Sequence, residues 1–302
     1  TSMPEFGSAI WFSLVTSIIA GVGIGVLAQP QLVVRFMTVK NNRDLNRALV
    51  SGSIFILVLT GAAYMVGALS NVIFFRDTGS IPAVLMSVDR IIPYFINTYM
   101  PSWFVPVFFL TLLSAAMSTL SAQFHTMGIS LGYDLYQKGF EGKKNSLIMN
   151  KVGVLVTVFI SALLAYGSSF LEISTGIIAA GTALFMGLCA AAFLPTYVAA
   201  LFSKTTPRAA AIASIVSGTI MSLFWMFFIH AKNAANLQLC KLLTGKSNLV
   251  AGTSFEYLSL VDSIMVSLPL SIIVLIAVWL YYKSSGKMDI PQEHIEKCFK
   301  GM

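Results

Sequence analysis

The sequence predicts an all-α, polytopic membrane protein, and two observations support that prediction. Hydrophobic residues make up 57% of the 302 residues and charged residues only 10%, against about 25% charged in a typical soluble domain. The mean hydropathy is +0.82. Apolar runs with no formal charge well inside them, each long enough for a helix to cross a bilayer, recur along the chain. They predict seven spans, at 9–28, 48–70, 103–136, 152–170, 173–201, 209–230 and 260–282.

The distribution of charge predicts the orientation of these spans. The net charge of +7 would suit nucleic acid, but the basic residues cluster between apolar runs, as the positive-inside rule expects. One face would hold Arg35, Lys40, Arg43, Arg47, Lys138, Lys143, Lys144, Lys151, Lys204, Arg208, Lys283, Lys287, Lys297 and Lys300. The other would hold Arg76, Arg90, Lys232, Lys241 and Lys246. We therefore expect a multi-pass protein of the cell membrane with its N-terminus outside and its C-terminus, including the polar tail 283–302, in the cytoplasm.

A stripe of small and hydroxyl residues lies inside the third span. Between Ser114 and Ala122 the sequence reads SAAMSTLSA, and Ala115, Ser118, Thr119 and Ala122 share one helical face. Such a stripe is often a packing seam in which hydroxyls bond back to carbonyls one turn earlier. The alternative is a cation site, because hard cations take oxygen ligands and neutral hydroxyls and carbonyls can supply them. The residues alone leave both open.

The first span carries a signal for an interrupted helix. It contains GVGIGV from Gly21 to Val26, followed by Gln29-Pro30. Glycine and proline weaken a helix, and non-helical backbone in a membrane is tolerated where it lines a cavity. Farther along, the loop segment Ile81–Tyr99 predicts an amphipathic helix, either a lid packed on the outer surface or an extracellular gate. The tail predicts a short helix at Gln292–Phe299.

Several blocks of this sequence resemble the sodium:solute symporter family. The segment LLSAAMSTLSAQ, followed by GYDLY, is similar to the family's eighth core helix, and AQPQLVVRFMTVKNNRDLNRA (Ala28 to Ala48) is similar to the block after its sixth. The ending HIEKCFKG is also like tails in this family. The resemblance implies that Ala115, Ser118 and Thr119 supply ligands to a coupling sodium ion. It also implies substrate contacts from Val22, Val26 and Pro30 in the sixth core helix and from Met186 in the tenth.

The resemblance further implies the second half of a leucine-transporter-type fold, which is built from two inverted five-helix repeats around a midplane site. Residues 1–302 would form a single membrane domain comprising core helices six to ten and two more C-terminal helices. We expect the C-terminal part of a longer transporter that needs the missing N-terminal half. Where proline transporters carry Trp, Tyr and His, this chain has Val22, Val26 and Gln31, which puts proline as substrate in doubt.

The expected function is sodium-coupled symport of a small organic solute such as an amino acid or a carboxylate. The alternative is a receptor-like or interaction protein without transport activity. No enzyme is expected, because the sequence has no HExxH and no paired intramembrane carboxylates. The spans also suggest no buried carboxylate, which favours sodium over the proton as coupling ion, since a proton carrier must titrate.

Overall fold

A computed structural model describes residues 4–80, 88–140, 146–170, 176–237 and 239–286. No β-strand occurs within these ranges. Their helices are α1 (Ala9–Ala28), α2 (Pro30–Met37), α3 (Asn42–Thr78), α4 (Val88–Tyr99), α5 (Phe104–Gly139), α6 (Ser146–Phe170), α7 (Gly176–Phe202), α8 (Arg208–Ile229), α9 (Ala231–Leu237), α10 (Leu239–Thr244) and α11 (Ile264–Ser284).

Seven of these helices are long and apolar enough to cross a membrane: α1, α3, α5, α6, α7, α8 and α11. This confirms the all-α class and the seven predicted spans. α3 is longer than its predicted span 48–70, because hydropathy marks only the apolar part of a helix. Its N-terminal turn follows the extended Asn41 and contains Asp44, whose charge suits a helix N-terminus. It ends at Gly79, which takes a left-handed φ of 68°.

α1 is irregular along most of its length, as its glycines and Gln29-Pro30 predict. A π-helical segment runs over Ser13–Val22, and a 3-10 turn at Val26–Ala28 ends the helix. Gln29 is extended, with ψ of 122°, and α2 begins at Pro30. π-helical segments in α-helices are frequent at functional sites. The break confirms the predicted interruption of the first span.

The chain forms two compact units. Unit 1 comprises residues 1–33 and 172–302, and α7, α8 and α11 pack against one another in it while α1 packs on α7 and α11. Polar bonds fasten this bundle internally. The Ser214 hydroxyl donates to the Ser271 carbonyl at 3.0 Å, and the Trp225 indole donates to the Val261 carbonyl at 2.9 Å. The prediction of a single domain over 1–302 stays a prediction.

Unit 2 comprises residues 34–171, and a close hairpin of α5 and α6 forms part of it. The two backbones approach closely at Gly128 and Gly153. A Cβ atom on Gly153 would lie 2.5 Å from the Gly128 carbonyl oxygen, and one on Gly128 would overlap Val154. Only glycine fits both positions, in the way that small residues allow close helix contacts in membranes.

α4 packs on the ends of α3 and α5 within unit 2 through a group of aromatic side chains. Phe74 of α3 is fully buried, and Phe95 and Ile96 of α4 are buried beside it. Tyr99 and Phe104 pack at the edge of this cluster. The predicted amphipathic helix is confirmed over Val88–Tyr99, and its residues 81–87 lie outside the described residues, as does the predicted helix 292–299. A packed lid agrees with these contacts.

A hydrogen bond between Tyr99 and Asp77 joins α4 to the end of α3 and carries a pH-dependent prediction. The Tyr99 hydroxyl donates to Asp77 Oδ2 at 2.5 Å, which raises the pKa of Tyr99 to about 12. Because this pKa lies above the ordinary value of 10, the contact stabilises the fold below pH 10 and is lost as the pH rises through about 12.

Asp77→Asn should therefore lower the pKa of one of the ten tyrosines, measured by the ultraviolet absorbance of tyrosinate. Asp44→Asn is the control, and an identical titration in both variants would contradict the prediction.

Candidate sodium and solute sites

The stripe predicted to bind sodium lies on the α-helical part of α5, within unit 2. Ala115, Ser118 and Thr119 are all exposed in the described part of the chain. The Thr119 hydroxyl donates to the Ala115 carbonyl at 3.0 Å, which is the back-bond expected of threonine in a membrane helix. The structure therefore brings the three predicted oxygens to one helix face.

These oxygens suit sodium in chemical type but are too few to hold it alone. Hard cations take oxygen ligands, about six of them in well-characterised protein sites, and the stripe offers two hydroxyls and one carbonyl. Further oxygens would have to come from another segment. Among the described residues no group of three or more His, Cys, Asp or Glu side chains could hold a metal ion.

The residues predicted to contact the solute lie in unit 1, around the break between α1 and α2. Val22 and Val26 are half-buried on α1, one turn apart, and Pro30 is exposed at the start of α2. Gln29, in the break itself, is buried, and its side-chain carbonyl accepts a hydrogen bond from the Gln31 amide at 2.8 Å. An extended backbone next to a buried amide gives this position hydrogen-bonding groups that a continuous helix would not offer.

Met186 of α7 lies directly against this segment. A Cβ atom on Gly25 would lie 2.6 Å from the Met186 carbonyl oxygen and 2.7 Å from its Cβ. Gly25 therefore lets the backbones of α1 and α7 touch, one residue before Val26. The structure thus brings together the predicted residues of the sixth and tenth core helices, which are far apart in sequence.

A buried carboxylate near the start of α11 was not predicted from the sequence. Asp262 is only 3% exposed, so the expectation that the spans bury no carboxylate is wrong. Its backbone N–H donates to the Thr16 hydroxyl of α1 at 3.1 Å. The sequence did carry a signal. A carboxylate just before an apolar run sits where helix caps occur, and its side chain then turns toward the helix rather than to solvent.

Comparison with known proteins relates the chain to sodium-coupled transporters. It is 28% identical over 216 residues to the sodium/proline symporter of Staphylococcus aureus, a match covering 68% of this chain and 40% of that relative. The sodium/proline symporters of the S. aureus strains JH9 and Newman match with the same identity and coverage. The chain thus spans about 40% of the length of these relatives. No solved structure matches it significantly.

The family model of sodium:solute symporters matches residues 9–218. This match includes α1 with its break, the stripe on α5 and Met186 on α7. Because it covers more than half of the chain, it supports membrane location and sodium-coupled solute transport at the level of the family. The chain belongs to the sodium:solute symporter family.

Proposed function

We propose that this chain is the C-terminal part of a sodium-coupled symporter for a small organic solute, such as an amino acid or a carboxylate. The observation that carries the proposal is the interrupted helix: α1 ends at the extended Gln29, and Met186 packs on its last turns. Broken helices at a repeat interface are where transporters of this type place their solute. The solute would contact Val22, Val26, Pro30 and Met186.

The solute contacts differ in chemistry from those of the proline transporters that the sequence resembles. Two aliphatic side chains, Val22 and Val26, stand where those proteins have aromatic ones, and Gln31 replaces a histidine. Valines remove ring stacking and leave more room. The Gln31 amide, already bonded to Gln29, offers both donors and acceptors without a charge. We infer a solute other than proline, recognised by amide hydrogen bonds.

Sodium would be the coupling ion, held by Ala115, Ser118 and Thr119 together with oxygens from a first repeat outside this chain. The stripe supplies too few ligands by itself, and this incomplete ligand set supports the need for further protein.

The experiment that tests the proposal measures sodium-driven uptake in proteoliposomes. The transporter completed by its N-terminal repeat should accumulate one member of a panel of amino acids and carboxylates under an inward sodium gradient, and not under a choline gradient. The 302-residue chain alone should accumulate none. A folded, complete protein that moves no solute under any gradient would support the receptor-like alternative instead.

Orientation in the membrane yields a separate prediction. The charge distribution places Lys204 in the cytoplasm and Lys241 outside. In a cysteine-free background, a single cysteine introduced at 241 should react with an impermeant maleimide applied to intact cells, whereas one at 204 should react only after permeabilisation. Labelling of position 204 in intact cells would reverse the proposed topology.

A further inference from the structure

Asp262 is a carboxylate enclosed by unit 1. It precedes α11 directly and is only 3% exposed. It forms no ion pair within the described part of the chain. Burying a carboxylate is costly unless an opposite charge and good hydrogen bonds compensate for the lost water. If Asp262 is ionised, a cation beside it would therefore stabilise it.

The hydrogen bonds that reach the carboxylate are few and long. Asp262 Oδ1 accepts from the Ile264 N–H at 3.2 Å and from the Ser263 hydroxyl at 3.4 Å, at the weak end of the usual range. Oδ2 accepts none from the described residues. An ionised carboxylate has about four lone-pair positions. The protein fills two of these positions, which leaves the others for water or an ion.

Other neutral oxygens lie around the same carboxylate. The Thr16 hydroxyl of α1 accepts a hydrogen bond from the backbone N–H of Asp262 and donates one to the Phe12 carbonyl at 2.6 Å. One lone pair of this hydroxyl is left over. From α8, the Ser222 hydroxyl donates to the Ser263 hydroxyl at 3.3 Å. Thr16, Ser222 and Ser263 are all buried. Of these hydroxyls, that of Ser263 contacts the carboxylate directly, and those of Thr16 and Ser222 are one hydrogen bond away from Asp262 or Ser263.

Two glycines leave space beside the carboxylate. Cβ atoms built on Gly21 of α1 and Gly187 of α7 would lie 3.9 Å and 3.4 Å from Asp262 Oδ1. A methyl group at either position would be in ordinary van der Waals contact with the carboxylate, so the two glycine backbones border it without crowding it.

We propose that Asp262, with the hydroxyls of Ser263, Thr16 and Ser222, forms a binding site for a monovalent cation, sodium, separate from the stripe on α5. The cation would supply the missing positive charge and use the free lone pairs of the carboxylate and the hydroxyls. The Ser263 hydroxyl would turn its hydrogen away from Asp262 Oδ1 as the ion binds. The choice of sodium rests on the proposed function, whereas the need for a counter-charge rests on the burial of Asp262.

The competing explanation is that Asp262 only caps α11. A carboxylate at a helix N-terminus is stabilised by the first N–H groups and by the helix dipole, and the bond from Ile264 fits that role. A cap, however, gains nothing from sodium ions. The two explanations therefore differ in whether the folded protein binds sodium through this carboxylate.

The test is thermal unfolding of the full 302-residue chain in detergent, with sodium chloride replaced stepwise by choline chloride at constant ionic strength. A bound ion raises the Tm increasingly as its concentration exceeds the Kd, so the Tm should rise with sodium and not with choline. Asp262→Asn keeps the shape of the side chain and should weaken the apparent sodium affinity roughly 10- to 100-fold. Glu256→Gln, at an exposed carboxylate of the preceding loop, is the matched control and should bind as the wild type does.

Binding of radioactive sodium to the same preparations gives a direct second measurement. If Asp262→Asn does not fold, Ser263→Ala decides, because it keeps the carboxylate and should still weaken sodium binding about tenfold. Equal sodium binding in wild type and in the folded variant would overturn the proposal and leave a cap. Sodium binding lost in Ser118→Ala but kept in Asp262→Asn would also overturn it, while supporting the stripe on α5. Sodium binding through Asp262, together with a complete transporter that moves no solute under a sodium gradient, would uphold this site and reject the proposed function.

Discussion

Replacing Gly25 by alanine is expected to destabilise unit 1 by about 1–3 kcal/mol, because the added methyl group has no space. Its Cβ atom would lie 2.6 Å from the Met186 carbonyl oxygen and 2.7 Å from the carbonyl carbon. Both of these are backbone atoms of α7, which cannot turn aside as a flexible side chain could. The break in α1 and Met186 would have to separate, and the proposed solute site would open.

Gly23, two residues earlier on the same helix, is the matched control. A Cβ atom there would meet no atom within 4 Å, and alanine favours a helix by about 1 kcal/mol over glycine. Gly23→Ala should therefore leave the stability unchanged or raise it. Thermal unfolding of both variants in detergent, followed by tryptophan fluorescence, measures the difference. Equal Tm values for Gly25→Ala and the wild type would show that α1 and α7 do not touch at Met186.

The positions of the helices were predictable because each depends on a local pattern. Long apolar runs located all seven spans, and the glycines before Gln29-Pro30 located the break in α1. The predictions were wrong only in the boundaries of some helices. Hydropathy could not show that α3 continues through Arg43 and Arg47 to Asn42, since charged residues fit the part of a helix that leaves the membrane.

The surroundings of single side chains were not predictable in the same way. Thr16 and Asp262 are 246 residues apart in sequence and meet only because α1 packs on α11. The contact between Gly25 and Met186 likewise needs the packing of two distant helices. A sequence pattern records which face of a helix is apolar, but not which partner covers it. The resemblance to a known family filled that gap for Met186 and not for Asp262.

Ser118→Ala or Thr119→Ala in the complete transporter is expected to raise the sodium concentration for half-maximal uptake by about 10- to 100-fold. Each variant removes one neutral oxygen, and the loss of a buried polar partner costs about 1–3 kcal/mol. Thr119→Ser should have a mild effect because it keeps the oxygen. Thr119 at present bonds to the Ala115 carbonyl at 3.0 Å. Both oxygens would have to turn from each other to the ion.

Thr111 of the same helix separates loss of a ligand from loss of a back-bond. Its hydroxyl donates to the Val107 carbonyl at 2.8 Å, and it is exposed as Thr119 is. Thr111→Ala therefore removes the same kind of bond to the helix, two turns earlier and outside the stripe. Its sodium dependence should match that of the wild type. If all three alanine variants expressed normally and kept the wild-type sodium dependence, the stripe would be a packing seam. If Thr111→Ala and Thr119→Ala shifted the sodium dependence of uptake equally, the cause would be the lost hydrogen bond to the helix. A sodium ligand would instead confine the shift to Ser118 and Thr119.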